Sequence, residues 1–307
     1  MIPIRFYKKD DEKQQELIRI KFCDANLAKR QPAKIKKLNR WCAAHLPLKD
    51  GRNPYTINDV IVASPERLIA IKKYLDDCGN LETINRELYN IRDDGTKGSC
   101  YVIGTLYQKM NNDTKDFLIK SFNISVCPYC NRNYVFSSHK VNTFQLDHFF
   151  SKEKYPILAA SFYNLIPVCG ICNLFKKDKA FSYYPHLSKN EEILRFSFLM
   201  KGSDFLENEE SLEITLNDIP ENYTDQINEL KLWEIYQGHK DILTDILKKH
   251  MVFSDAYIQA LVEKFQSLGD FQSVKELIYG VPMSKEERNN RPLSKFTQDI
   301  MDEMNSI

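Results

Sequence analysis

The sequence predicts an α+β chain, a mainly helical body with a small compact unit at its centre closed by four cysteines. Three observations carry this. Apolar residues recur at three- and four-residue intervals through both ends of the chain. Residues 121–186 exchange that rhythm for aromatic and β-branched residues. The same segment holds two cysteine pairs, Cys127-x-x-Cys130 and Cys169-x-x-Cys172.

At 307 residues the chain can bury a substantial core, and about two domains of ~100–200 residues are expected. The composition shifts divide it into an N-terminal helical region (1–120), the cysteine-bearing core (121–186) and a C-terminal, mainly helical region (187–307). Hydrophobic content of 43% and charged content of 28% are those of a globular protein. No apolar run reaches the ~18 residues of a membrane helix, and "MIPIRFYKKDDEK" lacks the apolar centre of a signal peptide. A cytoplasmic protein with no membrane partner is expected.

In the first region, "DEKQQELIRIKFCDANLAKR" and "SPERLIAIKKYLDDC" have helical periodicity. The second opens on Ser64-Pro65-Glu66, an N-cap followed by proline at the first helical position. "RNPYTINDV" and "IRDDGTKGSC" read as loops of turn formers. After the central segment, "FSFLMKGSDFLENEE" and "SLEITLNDIP" read as two short strands with turns. Helices are predicted again over "TDQINELKLWEIYQGHKDILTDILKKH" and "SDAYIQALVEKFQSL".

A net charge of +1 hides an asymmetry. Residues 1–50 carry 13 Lys+Arg against 6 Asp+Glu, residues 121–180 carry 7 against 3, and residues 181–307 carry 13 against 23. Phosphate backbones are held chiefly by Lys and Arg, so a nucleic-acid surface would draw on residues 1–50 and 121–180, not on the acidic end. The run "AKRQPAKIKKLNR" (28–40) reads equally as the solvated face of a helix.

Of eight cysteines, Cys23, Cys42, Cys78 and Cys100 are scattered and read as small buried or half-buried side chains. The paired four are different. A turn of two residues presents both sulfurs to one point, and two such pairs complete a tetrahedral four-thiolate site of the kind zinc favours. The 38 residues between Cys130 and Cys169 must fold in their own right. A zinc with four protein ligands has no open position, so its role is to staple, and any chemistry must use other groups.

Those groups lie in the intervening segment. "VNTFQLDHFF" reads as a strand ending near Asp147 and His148. Strand side chains alternate faces, so the two meet one substrate only if the strand ends or bulges there, and such an irregularity is expected. A helix beginning near Gly170 would put Asn173, Lys176 and Lys177 on one face. Hydrolysis of a phosphodiester needs parts of this kind: Asp147 and the Asn173 amide as ligands of magnesium or manganese, His148 as a general base, and lysine charge beside the phosphate.

Cys127-x-x-Cys130, Asp147-His148, Asn164-Leu165-Ile166-Pro167, Cys169-x-x-Cys172-Asn173 and Lys176 together resemble the HNH endonuclease motif of the zinc-stapled ββα-metal (His-Me finger, treble-clef) kind. The resemblance implies an HNH nuclease core within the α+β chain. Cys127, Cys130, Cys169 and Cys172 would hold a structural zinc, with Asp147 and Asn173 on the catalytic Mg2+ or Mn2+. His148 would be the base, Asn164 the residue ordering the loop opposite it, and Lys176 and Lys177 the contacts to nucleic acid, DNA being the expected substrate. The match spans Cys127 to Lys176. A softer resemblance, through "KYPILAASFYNLIP", "LWEIYQGHKDILTDIL" and "RPLSKFTQDI", is to the HNH nucleases of Septu- and retron-type anti-phage systems, and implies an ATPase partner subunit. The competing reading is a zinc-stapled binding or assembly module without cleavage.

Other candidates read as structural. His139 is an exposed turn residue, His186 a packing or surface residue, and His45, His239 and His250 have no recognisable partner. Tyr129, Tyr134, Phe149, Phe150, Tyr155, Phe162 and Tyr163 could stack on bases, but read mostly as the core of a small unit. For Asp147-His148 the structural alternative is a buried salt bridge.

Overall fold

The computed structural model describes residues 16–18, 20, 22, 32–49, 51–138, 140–187 and 194–306. Cys23, His139, residues 28–31 of the basic run and most of the helix expected over residues 11–30 lie outside them. Capping chemistry sets where the first helices begin. α1 (Pro32–His45) starts on proline, whose missing N–H is one no helix needs there, and buries Leu38, Trp41 and Cys42 at helical spacing. α2 (Ile57–Ile61) is opened by Thr56, which accepts from Asp59 N while the Asp59 carboxylate accepts from Thr56 N. This reciprocal box falls within a stretch predicted to be a loop. α3 (Pro65–Asp77) begins as predicted, with the Ser64 side chain accepting from Arg67 N.

After α4 (Leu81–Arg86), the second predicted loop is instead a hairpin of β1 (Tyr89–Ile91) and β2 (Lys97–Cys100). Gly95, at φ +79° in the turn, supplies a conformation that other residues rarely adopt. Helices α5 (Tyr101–Thr105) and α6 (Asn112–Phe122) follow, α6 capped by Asn111.

The central unit is two antiparallel strands and a helix. β3 (Gln145–His148) pairs with β4 (Leu165–Val168) in unbroken register from Gln145↔Val168 to His148↔Leu165, and α7 (Gly170–Lys176) packs against β3. Of the strand end or bulge expected at Asp147-His148, the structure has the end: pairing stays regular and the strand stops at His148. The connection between β3 and β4, buried from Tyr155 onward, contains two single 3-10 turns, Pro156–Leu158 and Phe162–Asn164.

β5 (Arg195–Met200) and β6 (Leu212–Asn217) form the predicted pair of strands. The first C-terminal stretch expected to be helical is made of α8 (Glu221–Glu229), α9 (Leu232–Gln237) and α10 (Lys240–Val252). The breaks fall at Lys231, at φ +50°, and beside Gly238. α11 (Asp255–Lys264) is capped by Ser254. α12 (Phe271–Tyr279) and α13 (Ser294–Met304) complete the described chain, α13 packing on β5. The molecule is mixed α and β, with small two-stranded sheets among the described residues. No helix among them is long and apolar enough to cross a membrane.

Packing ties the central unit to both flanks. Phe162, fully buried, meets Phe122 of α6 at 5.0 Å and Phe22 at 5.1 Å. Tyr236 of α9 packs on Phe196 of β5 at 4.3 Å, and Phe196 on Phe296 of α13 at 5.4 Å. Most of the buried apolar residues described in the three regions belong to one cluster, so the site described next sits on a support to which all three contribute.

Candidate functional site

The two cysteine pairs converge. Cys127, Cys130, Cys169 and Cys172 are all buried, and their four sulfurs lie within 4.8 Å of one another. Cys130 Sγ and Cys169 Sγ are 3.9 Å apart, close to the ~3.8 Å edge of a tetrahedron with metal–sulfur bonds of about 2.3 Å. Arg132 N donates to Cys130 Sγ and Asn133 Nδ2 to Cys169 Sγ, each at 3.4 Å, as suits sulfurs that carry negative charge. This group could hold a metal ion such as zinc.

The turn bearing the first pair is fixed from outside. Asn131, at φ +53°, a conformation asparagine tolerates better than most residues, donates through Nδ2 to Arg288 O and accepts at Oδ1 from Lys295 N. Tyr236 OH donates to Cys130 O at 2.6 Å. Residues that follow α12 and begin α13 therefore hold the cysteine turn in place.

Asp147 is 2% exposed and Lys176 wholly buried. Lys176 Nζ donates to Asp147 Oδ1 and to His148 O, each at 3.0 Å, and Tyr129 OH donates to Asp147 Oδ2 at 2.6 Å. Burial raises the Asp147 carboxyl above its ordinary value, with Lys176 and Tyr129 pulling the other way. This corrects the reading of Lys176. It does not share an exposed face with Asn173 and Lys177; it turns inward, and a buried ammonium with two protein partners is in no position to meet a phosphate. Asp147 does form a buried salt bridge, with Lys176 and not with His148.

His148, at the end of β3, places Nε2 3.0 Å from Ala159 O. A carbonyl oxygen only accepts, so Nε2 carries the proton and Nδ1 is left as the basic nitrogen. The Tyr107 ring packs edge-on at 4.5 Å. Burial first, and Lys152 second, push the imidazole down to about 3, against the Ala159 carbonyl. The ring is therefore neutral across the physiological range.

Asn164 is fully buried. Its side chain accepts from Phe150 N at 2.7 Å and donates to Phe150 O and Leu158 O, at 3.2 and 3.0 Å. Its own carbonyl accepts from Phe149 N. These bonds hold the chain leaving His148 against the turn that supplies Ala159 O.

Asn173, half-buried on α7, donates Nδ2 to Gln145 Oε1 at 2.6 Å, which leaves its amide oxygen for another partner. Gln145 and Asp147 lie two apart on β3 and so share a face. Asp147, His148 and Asn173 all line one cavity of about 300 Å³, whose rim carries Lys152 and Lys177. Lys177, at φ +51° and ψ −120°, ends α7 in a conformation costly for a side-chain-bearing residue. That reversal sends Lys177 outward where Lys176 goes in.

Sequence reasoning passed over Gln145, Tyr107 and Lys152, and took Tyr129 for a core or base-stacking ring without its bond to Asp147. Gln145 was open to it, as the two-residue neighbour of Asp147; the other three come from contacts no local pattern encodes. His186 is buried against the rings of Phe122, Tyr163 and Tyr184. His45 pairs with Glu87, and His239 accepts from Arg132 Nε at 2.7 Å. Tyr129, Phe149, Tyr155, Phe162 and Tyr163 are buried, whereas Tyr134 is exposed. Comparison of the chain with family models, with curated proteins and with solved structures returns no match.

Proposed function

We propose that the chain is a metal-dependent HNH endonuclease that hydrolyses phosphodiester bonds in DNA, its β3–β4–α7 unit being a ββα-metal core stapled by zinc on Cys127, Cys130, Cys169 and Cys172. The observation that carries this reading is the single cavity lined by Asp147, His148 and Asn173, with the histidine tautomer fixed by Ala159 O.

The donor set fits a hard divalent cation. A carboxylate has about four lone-pair sites, so Asp147 keeps acceptor capacity after serving Lys176 and Tyr129. The Asn173 amide oxygen is the second candidate ligand. Magnesium or manganese bound there would supply positive charge to the phosphate and the leaving oxygen. His148 Nδ1 takes the proton of the attacking water. Asn164, through Phe150 and Leu158, keeps that imidazole at the strand end. Lys152 and Lys177 offer charge to the substrate backbone on the cavity rim, the part first assigned to Lys176 as well. Lys176 instead positions Asp147.

The test is cleavage of plasmid and of labelled oligonucleotides by protein that retains its cysteine-bound metal, with and without added magnesium or manganese. Cleavage that needs the added ion supports the reading; none on any nucleic acid removes it. The softer resemblance extends the proposal to an ATPase partner within an anti-phage defence complex, with the acidic C-terminal region as the protein-facing part. A second reading, a zinc-stapled module without cleavage, is favoured by one observation: both Asp147 oxygens already have protein donors.

A further inference from the structure

The cavity at His148 does not stand alone. Ser151, Glu153 and Asp178 on its rim also line a second pocket, of about 460 Å³. Phe149, Phe150, Phe181, Tyr155 and Tyr184 line it, and Ile69 of α3 contributes from outside the central unit. Phe149 and Tyr184 stack at 4.2 Å with their planes 16° apart, and Phe150 meets Tyr184 edge-on at 5.5 Å. These contacts make the wall rigid, and the volume is within the small-molecule range.

The charges decide what kind of group fits. Lys72 and Lys154 stand at the pocket, but Asp76 holds both, at 2.7 and 3.0 Å. Glu153 and Asp178 are exposed carboxylates that form no side-chain hydrogen bond or ion pair among the described residues. A phosphate would be repelled there. A flat group with apolar faces and N–H donors at its edge would be accepted, its faces against the rings and its edge toward the carboxylates. A nucleobase is such a group, and in a nucleotide it is one sugar away from a phosphate, as this pocket adjoins the other cavity.

We propose that the aromatic pocket receives an unstacked nucleobase of the nucleotide next to the cleaved phosphodiester, so that the preferred substrate is a strand unpaired at that point. The proposal rests on the nuclease reading for the neighbouring cavity. A base inside a duplex cannot reach such a pocket without leaving its stack, whereas the bases of a single strand stack on aromatic side chains without first unpairing.

The experiment uses Ala180, an exposed residue of the pocket lining outside the hydrolytic machinery. Ala180→Trp fills the space; Ala180→Ser leaves it open. Binding of a single-stranded DNA oligonucleotide and of its duplex is measured by fluorescence anisotropy without added divalent ion, and cleavage of both is measured separately with it. The expected result is single-strand binding at least about tenfold tighter than duplex binding. That advantage is lost in Ala180→Trp and kept in Ala180→Ser. A single strand carrying 2-aminopurine, which needs no variant, is expected to be quenched on binding the wild-type protein. Equal binding of the two forms, or 2-aminopurine emission unchanged on saturation, overturns the pocket. Wild-type cleavage without strand preference defeats this proposal and leaves the nuclease reading standing; pocket-dependent binding with no cleavage removes the nuclease reading and, with it, the pocket's place beside a cleaved bond, leaving only a single-strand binding site.

Discussion

Lys176 and Asp147, 29 residues apart, form an ion pair at 3.0 Å with almost no solvent access to either. Removing one member of such a pair strands the other charge in a medium that solvates it poorly, at a cost of about 3–5 kcal/mol. Lys176→Met is expected to lose stability of that order in urea unfolding. Combining it with Asp147→Asn should restore part of the loss, because no unpaired charge then remains. A double variant that loses the sum of the two single losses would show that the pair is not coupled.

Asn164 connects three backbone groups around His148. Asn164→Ala removes the Asn164 bonds to Phe150 N and O and leaves Leu158 O with Ser161 N alone, and a loss on the order of 2–3 kcal/mol is expected from hydrogen bonds of this kind. Cleavage should fall further than stability at temperatures where the variant stays folded, since the imidazole loses its fixed support. Activity unchanged in a folded Asn164→Ala protein would remove the residue from that role.

The imidazole of His148 is held down to about 3 from an ordinary 6.5. Between those values the unfolded chain binds a proton that the folded chain does not. The stability this residue contributes is therefore complete above pH 6.5 and declines as pH falls toward 3. An NMR titration should find His148 neutral at pH 5, and kcat/KM should show no acid limb near 6.5 from this residue. A His148 resonance titrating near 6.5 contradicts the burial argument.

Cys127→Ser and Cys172→Ser each take one sulfur from a cluster that has four. Wild-type protein is expected to carry about one zinc per chain, tetrahedral and sulfur-bound by X-ray absorption. Each variant should lose both the metal and cooperative unfolding. A metal-free wild-type protein with undiminished stability would end the staple assignment.

Much of the site could be read from residue order alone. The cysteine spacing announced a shared ligand point, and Asp147-His148 fell at a strand end as the alternation of "VNTFQLDH" suggested. The inward turn of Lys176 could not be read. Offsets of three and four place residues on one helix face, but α7 has only seven residues, and its last turn departs from that pattern at Lys177. Tyr129 was visible only as an aromatic between two cysteines; its hydroxyl finds Asp147 through a fold whose partner strand is 18 residues away. The hairpin at residues 89–100 was missed because strands of three and four residues are too short to show alternation, although Asp94-Gly95 is a turn signal. In residues 224–250 the helical period persists across Lys231, a positive-φ position that no glycine marks.

The most direct measurement is single-turnover cleavage of DNA by wild-type protein and by His148→Ala, both carrying their cysteine-bound metal, in added magnesium or manganese. Metal-dependent cutting by the wild type is expected, with a fall of about 10²–10⁴ in rate for the variant and fold and zinc content unchanged. Cutting by His148→Ala at the wild-type rate would contradict the role of His148 as base.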